Sequence, residues 1–347
     1  MRFSRLPLAI ALSACTFSAY SDEAEQPSLS FSFFGIGQER PFYQETSTDF
    51  ANEAFKSEFE STALVQVSGG FTQMTPEWGF SIITTSTLLA EESQEDWAFT
   101  GFGVVQQDQM TLNQNGLDIQ ITHMPFNHGQ YVTGGIRYQK VSFSRFAFEG
   151  TGNIAALNTA IINTLDSDPD SQYSSFKDDI EAEVLNSTNT DGVVDTNSGE
   201  LIRDDQGNLV TTVAELDAAV SLNPELKEGV VFEDATSIMA TVGYGLDSYF
   251  VSQDPGIRYR AGFQYGLPLY ISVLNTDNEQ SITESMPAGY DLSAHVGVGY
   301  QFSKEVGLIF QYQYLKSQRD EIQRGNVRLP NNVFETDSFI TQFFWAF

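Results

Sequence analysis

The sequence predicts an all-β fold: a transmembrane antiparallel up-and-down β-barrel of ten strands, with twelve as the alternative, carrying a long acidic, partly helical extracellular loop. Three observations predict it. Apolar residues alternate with polar or glycine residues over a dozen positions at a time. No apolar run of about 18 residues, the length of a helical span, follows the N-terminal segment. The alternating stretches are separated by tight turns and by longer polar loops in turn, as in a barrel with one short-turned and one long-looped end.

The alternation is plainest in three stretches. From Tyr290 to Ser303, Tyr290, Leu292, Ala294, Val296, Val298, Tyr300 and Phe302 share one face, while Asp291, Ser293, His295, Gly297, Gly299, Gln301 and Ser303 share the other. Ile257 to Leu274 and Val306 to Ser317 repeat the pattern. A soluble sandwich also alternates, but its strands average about 5 to 6 residues. A tilted strand crossing a bilayer needs about 9 to 11, and these stretches meet that length.

In chain order, residues 1–21 read as a secretory signal peptide: Arg2 and Arg5, then an apolar run from Leu6 to Ala14, then the small-residue site Ala19-Tyr20-Ser21 ahead of Asp22-Glu23. Leu12-Ser13-Ala14-Cys15 also fits a lipoprotein cleavage box, the alternative processing. The only cysteine lies here, so a chain cleaved after Ser21 has no disulfide. Residues 22–347 then form one barrel domain. The expected strands are 28–39, 59–73, 77–90, 110–124, 130–148, 235–250, 257–275, 289–303, 306–319 and a last one ending at Phe347. Trp97 to Val105 also alternates and would add a pair, giving twelve.

Segment 149–234 stands apart in composition, with 19 acids against Lys177, Arg203 and Lys227. It reads as an extracellular insertion. Ile154, Leu157, Ile161, Ile162 and Leu165 recur at helical spacing, as do Phe176, Ile180 and Val184, predicting two short helices. Asp166, Asp168 and Asp170 alternate as calcium ligands do, but Pro169 interrupts them and Lys177 stands where a bidentate Glu belongs, so no defined metal site is expected. The formal charge of −29 repels nucleic acid and excludes it as a partner. Divalent cations could still bridge such a surface to lipopolysaccharide.

The sequence ends DSFITQFFWAF, with Phe339, Thr341, Phe343, Trp345 and Phe347 on one face. This ending resembles the C-terminal signature of Gram-negative outer-membrane β-barrels. That resemblance implies residence in the cell outer membrane, contact with its lipid and lipopolysaccharide, and reading of Phe343, Trp345 and Phe347 by the barrel-assembly machinery. It names a class and no function.

For chemistry, His123, His128 and His295 are the only histidines, and neither a G-x-S-x-G elbow nor a G-x-G-x-x-G loop occurs. The membrane-barrel enzymes (omptin proteases, the outer-membrane phospholipase, the lipid A deacylases) set His with Asp or Ser on strands. Asp291 and His295 share the interior face but stand four residues apart, about 13 Å along a strand. The expectation is no enzyme and no cofactor. Hairpin counting puts Asp118 opposite Arg137, and Asp247 opposite Arg258 or Arg260. With Arg145, Asp291 and His295 these residues are expected to line the lumen, either neutralising one another in a packed interior or edging a narrow path that favours anions. The resulting expectation is a narrow channel or uptake pore for a small polar or amphipathic solute. The alternatives are a surface adhesion or binding protein acting through 149–234, and a barrel hydrolase.

Overall fold

The structure, a computed structural model, describes residues 29–50, 53–125, 129–169, 171, 173–175, 177–178, 210, 212–222, 230–275, 280–324 and 327–347. The signal segment, Cys15, His128, Asp170 and the second expected helix around Phe176, Ile180 and Val184 lie outside those residues. Fifteen strand segments occur: β1 (Ser30–Phe50), β2 (Glu53–Glu60), β3 (Ala63–Gln73), β4 (Trp78–Ala90), β5 (Ser93–Phe99), β6 (Gly103–His123), β7 (Gln130–Gly150), β8 (Val231–Asp247), β9 (Gly256–Asn275), β10 (Gln280–Ser285), β11 (Gly289–Gln301), β12 (Val306–Arg319), β13 (Ile322–Arg324), β14 (Val327–Leu329) and β15 (Asn331–Ala346). Between β7 and β8 the described residues include the helices α1 (Ile154–Ser167) and α2 (Val213–Val220), with further helical residues at 173–175 and 177–178.

Neighbours pair antiparallel around a ring that closes where β15 meets β1. Because β2 runs on into β3, β4 into β5 and β10 into β11, the ring has ten staves, the number expected from the sequence. Several staves are longer than expected. Residues 40–58 and 91–109 were expected as loops, yet β1 pairs with β2, β2 with β5, and β5 with the start of β6, carrying the wall far beyond the membrane. Their outward residues, such as Lys56, Glu58 and Glu60, hide the pattern of a crossing strand. Inward residues Tyr43, Phe59 and Phe99 still alternate and bury. Trp97 to Val105 is the hairpin tip of this projection and adds no stave.

Tight turns close the end where β1 begins and β15 ends. Gly129 opens β7 at φ 77, in the left-handed region, and its carbonyl accepts from Asp247 N at 2.8 Å. Gly135, further along β7, lets the strands close in: a Cβ there would lie 2.1 Å from the Ile119 carbonyl oxygen.

Parity then separates two surfaces. Outward, Ile36, Ile136, Val242, Phe263, Val298, Phe310, Phe339 and Phe343 are exposed and form an apolar band. Above it the outward face turns ionic, with Lys140 on Asp234 at 2.8 Å and Lys316 on Glu335 at 2.7 Å. Inward positions are buried or partly buried. No helix among the described residues is long and apolar enough to cross a membrane; the crossing is made by strands.

Candidate functional site

The lumen is the candidate site, and its side chains form layers from one end to the other. At the turn end, Asp247 accepts from Tyr249 N at 2.8 Å and so starts a short 3-10 turn, Ser248–Phe250. That turn drives Tyr249 inward, edge-on to Phe31 and Phe344 at 5.1 and 5.5 Å. Phe33, Ile309 and Ile340 complete this apolar floor. Arg258 lies over the Tyr249 ring at 5.6 Å and donates to the carbonyls of Ser248 at 3.2 Å and Asp254 at 2.6 Å. Its Nε donates to Gln301, whose own amide donates to Gln253 O at 2.8 Å and Lys304 O at 2.9 Å, tying two turns together.

Asp247 does stand opposite Arg260 in the ladder, but among the described residues it makes no ion pair within 4 Å with either arginine. Its carboxylate is used on its own turn. Arg260 instead donates to Gln342, and the His295 imidazole sits against Gly262, where a Cβ would lie 2.7 Å from Cε1.

At mid-height one guanidinium joins three staves to its own. Arg137 Nε reaches both oxygens of Asp118 at 3.0 and 3.1 Å, Nη1 lies 3.5 Å from Asp291 Oδ2, and Nη2 donates to Gln264. Charge-assisted contacts of this kind, spread from one planar guanidinium over three partners, fix geometry as well as charge. Above it a cavity of about 40 Å³ is lined by Glu39, Gln114 and Gln139, among others.

Higher still, a second apolar layer crosses the barrel. Tyr43 on β1 meets Phe143 on β7 at 4.5 Å between ring centres, joined by Phe59, Met110, Leu112, Leu315 and Phe334. These residues come from staves on opposite sides of the ring. Directly above stands Arg145, 5% exposed, with Nε 2.6 Å from Glu95 Oε2 and Nη2 3.2 Å from Glu95 Oε1. Glu233 and Glu45 follow at 3.8 and 3.9 Å. Asp108 stands beside this group, accepting from Trp97 Nε1 at 2.7 Å. Leu157 and Ile161 of α1 bury against Phe99 and Val105 at the projecting rim, with Asn153 Nδ2 donating to Val104 O at 3.0 Å.

The eight residues picked from sequence therefore fall into distinct groups. Arg137, Asp118 and Asp291 come together; Arg258 and Arg260 anchor to amides and carbonyls; Asp247 caps a turn; Arg145 heads the upper cluster; His295 packs beside Gly262. Glu45, Glu95, Asp108 and Glu233 were missed because they themselves lie in stretches that read as loop, while their partner Arg145 lies on an expected strand. Helix α2 was missed although Thr212-Val-Ala-Glu215 is a capping box in plain sequence: Thr212 Oγ1 accepts from Glu215 N at 3.2 Å and Glu215 Oε2 accepts from Thr212 N at 3.0 Å. Of the weak calcium candidates, Asp166 is bonded to Lys177 at 2.7 Å and Asp170 lies outside the described residues. His123 stacks on Trp78 at 4.3 Å near the turn end.

No protein family matches the sequence, and no curated protein matches it. Solved structures do. The outer membrane protease OmpT from Escherichia coli is similar at a TM-score of 0.53 and 10% identity, over 94% of this chain and 99% of that one. The translocator domain of the autotransporter NalP from Neisseria meningitidis reaches 0.32 at 9% identity, over 91% and 88%, and the P. putida toluene transporter TodX 0.32 at 8%, over 93% and 91%. The expectation that the chain is no enzyme is corrected by the first of these: the same fold carries a protease, so the lack of soluble-hydrolase motifs does not exclude catalysis. At that identity the likeness shows the fold and leaves activity unestablished. The fold is that of an outer-membrane β-barrel of the kind seen in OmpT.

Proposed function

We infer that the protein is a closed barrel that works at its extracellular end, presenting the acidic segment between β7 and β8 to a basic partner surface. One observation carries the reading: side chains from different walls meet at the Tyr249 floor, at Arg137, at Tyr43 and Phe143, and at Arg145. A lumen bridged at four heights holds a shape. In this reading Arg137, Arg145, Arg258, Arg260, Asp118, Asp247, Asp291 and His295 act as internal struts. Lipopolysaccharide, bridged by divalent cations, and the assembly machinery that reads Phe343, Trp345 and Phe347 are the other proposed partners.

The test is made on the full chain in lipid vesicles and planar bilayers. Wild type gives no unit conductance and binds immobilised polylysine in a salt-sensitive way, and replacing residues 179–209 by a short neutral linker abolishes that binding. Steady conductance, or binding indifferent to the replacement, overturns the reading. A narrow uptake pore is the second reading, favoured by two lumen cavities that both reach Gln139.

A further inference from the structure

In the extracellular half of the lumen two buried hydrogen-bond donors have been left without acceptors. Arg319, at the end of β12, is 7% exposed, and Gln139, on β7, is 4% exposed. Among the described residues Arg319 forms no ion pair; its Nη2 reaches only Pro330 O at 3.4 Å, and its Nε has no partner. The Gln139 amide nitrogen has none either. Burying a guanidinium away from any carboxylate is costly, and buried donors are nearly always satisfied. Both side chains line one cavity of about 60 Å³.

The rest of the lining says what would complete them. Tyr43, Phe143, Met239 and Phe334 give the cavity an apolar wall. Glu39, whose Oε1 has no partner among the described residues, lines the neighbouring cavity that Gln139 also reaches, and three further acids nearby are otherwise engaged. On β1, Glu45 accepts from the Tyr43 hydroxyl and faces Arg145; on β8, Glu233 is held by Asn275 Nδ2 at 3.0 Å and by Arg145; on β11, Asp291 faces Arg137. Within this cavity the unanswered polarity is thus two donors, one of them cationic, beside aromatic and thioether surface. A carboxylate has two acceptor oxygens and one negative charge, and its alkyl end suits such a wall. At about 10 to 15 Å³ per water-sized position, the cavity of about 60 Å³ has room for roughly four to six non-hydrogen atoms, a range that takes in a three-carbon carboxylate. The cavity lies beneath the junction of β10 and β11, where Met286 takes φ 53 and is exposed.

We propose that this cavity is a binding site for a short aliphatic monocarboxylate, received by Arg319 and Gln139. The site stands on its own lining and does not require that the barrel conduct. The test is isothermal titration of the folded, detergent-solubilised protein with sodium propionate, propionamide and sodium chloride at matched ionic strength. Propionate gives a saturable signal; the isosteric amide and chloride do not. Arg319→Gln weakens propionate binding roughly tenfold or more, as loss of a charged hydrogen-bond partner does. Gln139→Leu weakens it less, and heat-modifiable migration on gels confirms that each variant is folded. If a variant fails to fold, wild-type competition between formate, acetate, propionate and butyrate decides: affinity rising to propionate and failing at longer chains supports the site. No saturable binding of any of these acids, equal binding of the amide, or undiminished binding by folded Arg319→Gln overturns it.

Discussion

Replacing Arg145 by glutamine tests whether the upper layer is held by one cation. The guanidinium is 5% exposed and makes two contacts to Glu95, which is itself fully buried; Glu45 and Glu233 lie within 4 Å. It also lies 5.6 Å from the Trp97 ring and 5.4 Å from that of Phe143. Removing it leaves Glu95 with the Ser57 hydroxyl and the neighbouring Asp108 and sets buried carboxylates facing one another. Breaking a buried pair from one side costs about 3 to 5 kcal/mol, and loss of the ring contacts adds about 0.5 to 2 kcal/mol. The double variant Arg145→Gln with Glu95→Gln removes the most closely paired of the stranded charges and leaves Glu45 and Glu233, so it returns part of that loss. Reversible urea unfolding in detergent, followed by tryptophan emission, measures both. A single-variant cost below about 1 kcal/mol, or a double variant less stable than the single, would refute the argument that Arg145 compensates this cluster.

Further outcomes follow from other parts of the wall. Val298→Arg, placing a charge on the exposed apolar face, lowers stability in lipid by about 2 to 4 kcal/mol, whereas Val298→Leu changes it little. Gln301→Lys is also destabilising, because Gln301 is fully buried and its amide spans two turn carbonyls beside Arg258; the same unfolding assay reads it. Thr212→Ala removes the α2 capping bond at a local cost of about 1 kcal/mol, seen as faster amide exchange over residues 213–220 with barrel amides unchanged. Tyr249→Ala opens the floor but leaves the bilayer currents silent, since the Arg137 and Tyr43–Phe143 layers still bridge the lumen; conduction by this variant would mean the floor alone is the barrier.

What could be read from sequence was set by period and by what surrounds each strand. Within the membrane the medium demands apolar residues at alternate positions, so Val296, Val298, Phe310 and Phe339 declare both strand and face. Where β1, β2 and β5 leave the bilayer that demand lapses, and Lys56, Glu58 and Asp96 face outward instead; these strands are specified by inward residues whose partners are distant in sequence. Hairpin counting placed Asp118 opposite Arg137 because both sit in one hairpin. It could not find Asp291, which reaches Arg137 from 154 residues away. Parity assigned Gln301 to the interior but carried no information on crowding there, which depends on Arg258 and two turns meeting around it.

The seam between β1 and β15 bears on how long the folded state lasts. Sixteen residue pairs, from Phe31 and Ala346 to Thr46 and Asn331, join strands at opposite ends of the sequence, and Ser338 Oγ donates to Glu39 Oε2 across 299 residues. Bringing such distant segments together carries a closure entropy of about 5 kcal/mol, a cost met before any seam hydrogen bond is gained. Closure is therefore late, and until it occurs β1 and β15 are both bare edges able to pair with other chains. After closure the balance reverses. Unzipping the seam in hydrocarbon strips amides and carbonyls of partners with no water to replace them, so the barrier to leaving the ring is high and its lifetime in the membrane is governed by a rate rather than by an equilibrium.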